Sequence, residues 1–295
     1  MKTIKATTWI VGIILLAAVF LLAMHLSANN MDFSRSNIGW NGTSSFFSDL
    51  NRHHTVEITD PGQLAGYPRN ATLLIIAPYR SPTAKELAAY TAFLNNGNTI
   101  FLADDFGTGN EILAGIGSHV SILPGNLSSL DRRYQDPYSV IAYRAADEGP
   151  VPLPQDIALN RPAALDGGSP LMLTSVMSWI DLNGKRRITL GEDLGTYPVM
   201  VTTSKGTGQL IVLSDPSIFI NSMYSQPENG NNRDLIRSIV TLNDQVLIDQ
   251  MNSRTAGASG FSEILHVIGN TSNIEIFIIC LLMLGTALAW RKKII

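Results

Sequence analysis

The chain has 295 residues, of which 45% are hydrophobic and only 15% charged, whereas about a quarter of the residues of an ordinary soluble domain carry charge. A formal net charge of −3 leaves no basic field over the whole chain, which speaks against nucleic-acid binding. The single cysteine, Cys280, excludes an intramolecular disulfide and a cysteine-based zinc site, and the length allows one large domain or two small ones.

The apolar excess lies at the two ends. Residues 1–8, with Lys2 and Lys5, precede WIVGIILLAAVFLLAMHL over 9–26, about 18 residues and long enough to cross a bilayer core. That run exceeds the apolar core of about 7 to 15 residues in a signal peptide, and Leu26-Ser27-Ala28 is a poor cleavage site. It therefore reads as an uncleaved transmembrane helix. Residues 30–250 form the next unit. Thr43 to Leu50 predicts a capped amphipathic helix leading into a strand from Thr55 to Ile58. Apolar runs predict strands over 72–77, 99–103 and 209–213. Between the first two, SPTAKELAAYTAFLNNGN predicts a helix capped by Ser81, with Pro82 in the first turn and Gly97 at its end. Strand, crossover and strand imply a parallel pair. Residues 124–168, rich in Pro, Gly and Asp, read as an irregular insertion over one sheet edge. Val199 to Thr203 and Gln209 to Leu213 flank a hairpin turn, and a helix over 232–242 precedes a strand over 246–248.

Residues 251–273 read as a flexible tether and juxtamembrane segment, 274–290 as a second transmembrane helix, and 291–295, RKKII, as a basic tail. Basic residues flank the outer ends of both spans. The positive-inside rule then places both termini in the cytoplasm and the α/β unit outside the cell membrane. The rest of the chain carries 16 Lys and Arg against 24 Asp and Glu, so the mild overall charge hides an acidic exterior.

In an open parallel sheet, ligands bind outside the carboxyl ends of the strands. The polar candidates there are Asn37, Thr43 and Ser44 before the first helix, Asp104, Asp105 and Asn110 after the strand ending at Ala103, and Asp215 and Asn221 after Leu213. Asp249 ends the last strand. Each is also what turns and caps use; together they predict a shared polar groove. No nucleophile elbow, zincin helix, Walker loop or dinucleotide fingerprint occurs. The histidines are scattered, and adjacent Asp104 and Asp105 point to opposite sides on leaving a strand. No catalytic set, metal or cofactor is therefore expected. Sequons at Asn41, Asn70, Asn126 and Asn270 are no more numerous than chance allows.

At these same segments, NIGWNGTSSFFSDL, LLIIAPYRSPTAKELAAYTAFLNNGNTIFLADDFGTGNEIL, GQLIVLSDPSIFIN and VLID, the chain resembles the archaeal and bacterial family called domain of unknown function 4350. That family is similar to auxiliary subunits of gliding-motility-type ABC transporters. The resemblance implies a class I glutamine amidotransferase-like, flavodoxin-like α/β domain: a mostly parallel sheet with helices on both faces, flanked here by the two spans. Relatives carry Asp-Glu and a following His after the last strand; this chain has Asp249 but Gln250 and Asn252. An amidotransferase also needs a cysteine where Asp104 stands. The resemblance thus implies a non-catalytic accessory domain that recognises a polar ligand, a glycan or a membrane partner such as a transporter subunit. The alternative is a carboxylate-based hydrolase using Asp104 or Asp105.

Overall fold

The computed structural model describes residues 31–50, 55–131, 135–145, 151–225 and 231–255. Both predicted spans, the termini beyond them, His53, His54, His266, Asn270 and Cys280 lie outside these residues. Among the described residues no helix is long and apolar enough to cross a membrane.

The uniformly apolar runs become strands β2 (Ala71–Ile76) and β3 (Thr99–Ala103), buried along their whole length. Burial of both faces is what a parallel strand between two helical layers requires. With β1 (Thr55–Ile58), β12 (Gly208–Leu213) and β13 (Gln245–Asp249) they form five parallel strands in the order β1-β13-β2-β3-β12. Counted along the chain these run 1-5-2-3-4, so the flavodoxin-like order 2-1-3-4-5 is not reproduced: the last strand inserts beside the first.

Alternate side chains of the strands feed opposite cores. Leu74, Ile76, Phe101, Ile211 and Ile248 pack with α1 (Ser44–Leu50) and α5 (Asn232–Val240). Leu73, Ile75, Ile100, Val212 and Leu247 pack with α2 (Ala84–Asn95) and α3 (Gly109–Gly115). Helices therefore cover both faces, as expected for this class.

The cap of α2 is Thr83, two residues later than predicted. Its hydroxyl accepts from Glu86 N–H while Glu86 accepts from Thr83 N–H, a full capping box; Ser81 lies outside it. Burial raises the Glu86 pKa, but hydrogen bonds from Arg80 and Thr83 outweigh it and hold the carboxyl below its ordinary value. Thr83→Ala should cost about 1 kcal/mol of stability in a thermal melt, the usual value of such a cap; an unchanged midpoint would show that Arg80 alone fixes this turn.

The segment 124–168 is not irregular. It contributes β5 (Asn126–Ser129), β6 (Ser139–Arg144), β7 (Asp156–Asn160) and β8 (Leu165–Asp166), the last pairing with β4 (Ser121–Ile122). With β9 (Ser169–Thr174) and β11 (Pro198–Lys205), β6 and β7 extend the sheet by an antiparallel wing, β12-β11-β9-β6-β7. The sheet is thus mixed, five strands parallel and four antiparallel to their neighbours along the wing. β5 pairs separately with β10 (Ser178–Asp181). The wing curls back onto the helical layer. Asn232 on α5 makes two hydrogen bonds to the backbone of Ala158 on β7, at 2.9 and 2.8 Å.

Residues 251–255, predicted as the start of a tether, are built into the fold. Ser253 Oγ donates to the Asp249 carboxylate at 3.4 Å and accepts from Ile76 N–H at 3.0 Å. Asn252 and Thr255 are fully buried.

Candidate functional site

A cleft of about 490 Å³ opens at the carboxyl ends of the parallel strands, the place where such sheets hold ligands. One wall is Ala77 and Pro78 after β2 with the 104–107 loop after β3. A second is Pro216 and Ser217 in the 3-10 turn Pro216–Phe219 after β12. Asn160 and Arg161 close a third side because β7 runs in the same direction as β12 and the wing curls. Arg254, Phe33 and Asn126 complete it.

Three cleft residues, Phe33, Ala77 and Arg161, hold positive φ angles of 60°, 48° and 58°. Non-glycine residues avoid that region, and such strain survives where the surroundings over-determine it, characteristically at functional sites. The surroundings are visible here. Ala77 N–H donates to Ala103 O at 2.9 Å and Arg161 N–H to Tyr138 O at 2.9 Å.

The carboxylates are of two kinds. Asp104 turns into its own loop, accepting from Gly107 N–H at 3.1 Å and Gly109 N–H at 2.7 Å. A Cβ on Gly107 would lie 2.4 Å from Pro78 O, so only glycine lets this loop close. Asp215 is fully buried and acts as a strut. It accepts from Ser217 N–H at 2.7 Å, capping the 3-10 turn, and from Asn160 N–H at 2.6 Å, tying β7 to β12. Asp105 instead stands part-exposed on the cleft wall, bonded to its neighbour Phe106 N–H. Adjacent Asp104 and Asp105 do take different partners, yet both line the cleft.

Burial, joined by the charge of Asp105 and opposed by the hydrogen bonds each carboxyl accepts, pushes Asp104 up to about 6 and Asp215 up to about 7. Burial also raises Asp105, against the pull of Arg254. Two guanidiniums, Arg161 and Arg254, reach the cleft from exposed positions. Arg161 stacks over the Tyr138 ring at 5.6 Å. The charged groups open to the cleft are therefore these two cations and Asp105, an arrangement suited to an anionic group on a larger polar ligand.

The predicted groove is only partly assembled. Asp104 and Asp105 line the cleft and Asp215 supports it, but the other five residues lie elsewhere. Asn221 accepts from Ser45 N–H at 2.9 Å and donates to Asn37 O at 3.1 Å, Gly39 O at 2.7 Å and Ser44 Oγ at 3.1 Å. Thr43 Oγ1 donates to Phe33 O at 2.8 Å. Asn37, Thr43, Ser44 and Asn221 thus lock the 31–43 loop onto the helices below. Asn110 pairs with both backbone groups of Ile122 at 2.8 Å, away from the cleft. Asp249 accepts from Tyr90 OH at 3.0 Å and from Asn252 N–H at 2.8 Å, and burial raises it to about 6.

Sequence reasoning missed Arg161, Arg254, Asn126, Asn160 and Phe33. Asn160-Arg161-Pro162 does follow the apolar run Ile157 to Leu159, a strand-to-turn signal. Among the described residues no cluster of three His, Cys, Asp or Glu side chains suits a metal. Asn41 and Asn70 use their amides on Asp32 and Asp244, and Asn126 faces the cleft.

Solved structures match parts of this chain at low identity. The N-terminal domain of mmIFT52 matches 68% of this chain and 89% of its own at 15% identity, with a TM-score of 0.49. A cytoplasmic protein of Salmonella typhimurium LT2 matches 68% of this chain and 87% of its own at 14% identity and a TM-score of 0.39. For a beta-galactosidase of Bacillus circulans the shares are 58% and 22%, at 11% identity and a TM-score of 0.34. No curated protein matches the chain. The family model for the domain of unknown function DUF4350 matches residues 35–239, more than half the sequence, and the chain belongs to that family.

Proposed function

We propose that this chain is a membrane-anchored, extracytoplasmic, non-catalytic binding domain whose cleft takes a polar ligand or glycan carrying an anionic group. The observation that carries the reading is the division of labour among the charges. Both oxygens of Asp104, at the place of an amidotransferase nucleophile, are spent on its own loop, whereas Arg161 and Arg254 stand open to the cleft. Helices on both faces of the sheet agree with a scaffold of the amidotransferase-like type without its thiol. Service to an ABC-type transporter or surface-assembly system, and placement in the cell membrane, rest on the family resemblance and the two apolar runs.

A guanidinium hydrogen-bonded to an anion contributes about 1.5 to 3 kcal/mol. Arg161→Gln and Arg254→Gln should each weaken binding of glucuronate or glycerol phosphate by about tenfold or more in calorimetry, with glucose as the neutral control. Equal binding by wild type and both variants would sink the reading. The alternative, hydrolysis through Asp105, is favoured by its place on the cleft wall and its raised pKa. It predicts turnover of an activated glycoside or ester that Asp105→Asn abolishes, whereas in a binding site the same change leaves anion affinity intact or improves it.

A further inference from the structure

The face that carries the cleft also carries most of the exposed apolar surface. Around the cleft stand Met31, Ile38, Trp40, Tyr79 and Phe106, each between 53% and 70% exposed. Ile38 and Trp40 belong to the loop fastened over the 3-10 turn after β12: Asn221 binds Gly39 O and Ser222 N–H binds Trp40 O. Tyr79 and Phe106 follow the carboxyl ends of β2 and β3. Because β9 runs in the direction of β12, the connection from Thr174 to Pro198 leaves and re-enters the sheet at this same end. It carries six more exposed apolar side chains, Leu182 and Leu190 among them, and the cations Lys185, Arg186 and Arg187. Eleven of the fourteen large apolar side chains exposed among the described residues thus belong to loops at this end of the sheet or to the connection that leaves and re-enters it here, far from the scattered placement an ordinary surface shows.

Both ends of the folded domain emerge there too. Arg35 N–H donates to Thr255 O at 3.4 Å, and Phe33 and Arg254 share the cleft. A second hollow of about 460 Å³ lies between Met31, Asp32, Tyr79, Ser253 and Arg254. Met31 follows the last residue of the predicted first span, Leu26, by five residues. Five residues reach at most about 17 Å, so a span ending at Leu26 holds this end of the domain at the membrane surface.

Resting on the anchored, anion-binding reading above, we infer that the carboxyl-end face of the sheet sits on the lipid bilayer and that the cleft takes the phosphate-bearing headgroup of a membrane lipid. Trp40 and Tyr79 are the side chains that settle at the headgroup level, and Phe106 adds an apolar ring that enters the boundary with the acyl chains. Arg161, Arg254, Lys185 and Arg187 complement anionic lipid on a domain that is otherwise acidic. A domain facing the other way would leave these aromatic side chains in water and its two ends on the wrong side.

The test uses the full chain with Cys280→Ser, reconstituted in phosphatidylcholine vesicles with or without phosphatidylglycerol. Spin labels are placed by Trp40→Cys, Phe106→Cys and, at the opposite end of the sheet, Arg69→Cys. Collision with lipid-soluble oxygen relative to a water-soluble nickel chelate should be several-fold higher at positions 40 and 106 than at 69. Phosphatidylglycerol should further immobilise the label at 106, and Arg161→Gln with Arg254→Gln should abolish that increment. Labels at 40 and 106 as open to the nickel chelate as the label at 69 would overturn the orientation. If glycerol phosphate still binds in that case, the cleft reading stands and only its lipid source falls. Lipid contact without any effect of phosphatidylglycerol would overturn the headgroup assignment.

Discussion

Phe219→Ala is expected to remove about 3 to 5 kcal/mol of folding free energy, the cost of truncating a fully enclosed aromatic ring. Phe219 is 1% exposed at the end of the 3-10 turn. Its ring meets Phe46 of α1 edge-on at 4.9 Å and Phe101 of β3 at 6.1 Å. Phe46 in turn touches Phe47 and Tyr224 of α4 (Asn221–Tyr224). One ring thus joins the sheet, the first helix and the turn whose Pro216 and Ser217 form a cleft wall. The loss should appear in urea unfolding of the solubilised chain as a lower midpoint with an unchanged slope. Anion affinity should fall as well, because the turn that loses its ring carries the cleft-wall residues Pro216 and Ser217. Phe219→Leu, which refills most of the volume, should recover more than half of the stability. A loss below about 1 kcal/mol for the alanine variant would mean that the turn collapses into the void and is not held by the ring.

This aromatic junction also marks how far the sequence could be read. Strands of the parallel half are continuous apolar runs, because a strand covered on both faces has nothing polar to show. They were legible to within a residue or two at β2, β3, β12 and β13. Strands β6 and β7 carry polar residues at their ends, as in Ser139–Arg144 and Asp156–Asn160, and lie in a stretch whose Pro, Gly and Asp content mimics a loop. Their strand identity comes from pairing β6 with β9 and β7 with β6, and from the anchoring of Ala158 by Asn232, 74 residues away. No local pattern encodes that contact.

The site follows the same division. Asp104 and Asp105 were legible because they leave a recognisable strand, but Arg161 becomes a cleft residue only once the wing has curled and Asp215 has fastened Asn160. Asn37, Thr43, Ser44 and Asn221 have the residue types of a binding groove and the hydrogen bonds of a loop lock. Polar residue type at a strand end states that backbone groups need partners; it does not state whether those partners belong to a ligand or to the protein. Segment 251–255 shows the converse, since Ser, Arg and Thr after the last strand read as a tether and instead complete the cleft through Arg254.

The three buried carboxylates at the strand ends give the second large expected effect. Asp104, Asp215 and Asp249 are raised by burial from an ordinary value of 3.8 to about 6, 7 and 6. Between those limits the folded chain holds protons that the unfolded chain has released. Their contribution to stability is therefore complete below pH 3.8 and is lost as the pH rises through the folded values, at up to about 1.4 kcal/mol per pH unit for each group. Glu86 and Asp181, held below their ordinary values of 4.5 and 3.8, work in the opposite sense and only in acid. The window from about pH 5 to 8 thus reports the raised carboxylates, with Asp105 acting in the same sense as the buried three, and the unfolding free energy should fall across it. Asp215→Asn should flatten that fall, most clearly between pH 6 and 7. At pH 5 the variant should be weaker than wild type by about 1 to 3 kcal/mol, because an amide cannot accept from both Asn160 N–H and Ser217 N–H. By pH 8 the gap should narrow, since wild type then keeps an anion in a site with no access to water. Unfolding curves of wild type and variant that stay parallel from pH 5 to 8 would mean that Asp215 is ionised throughout, with the two N–H groups outweighing its burial.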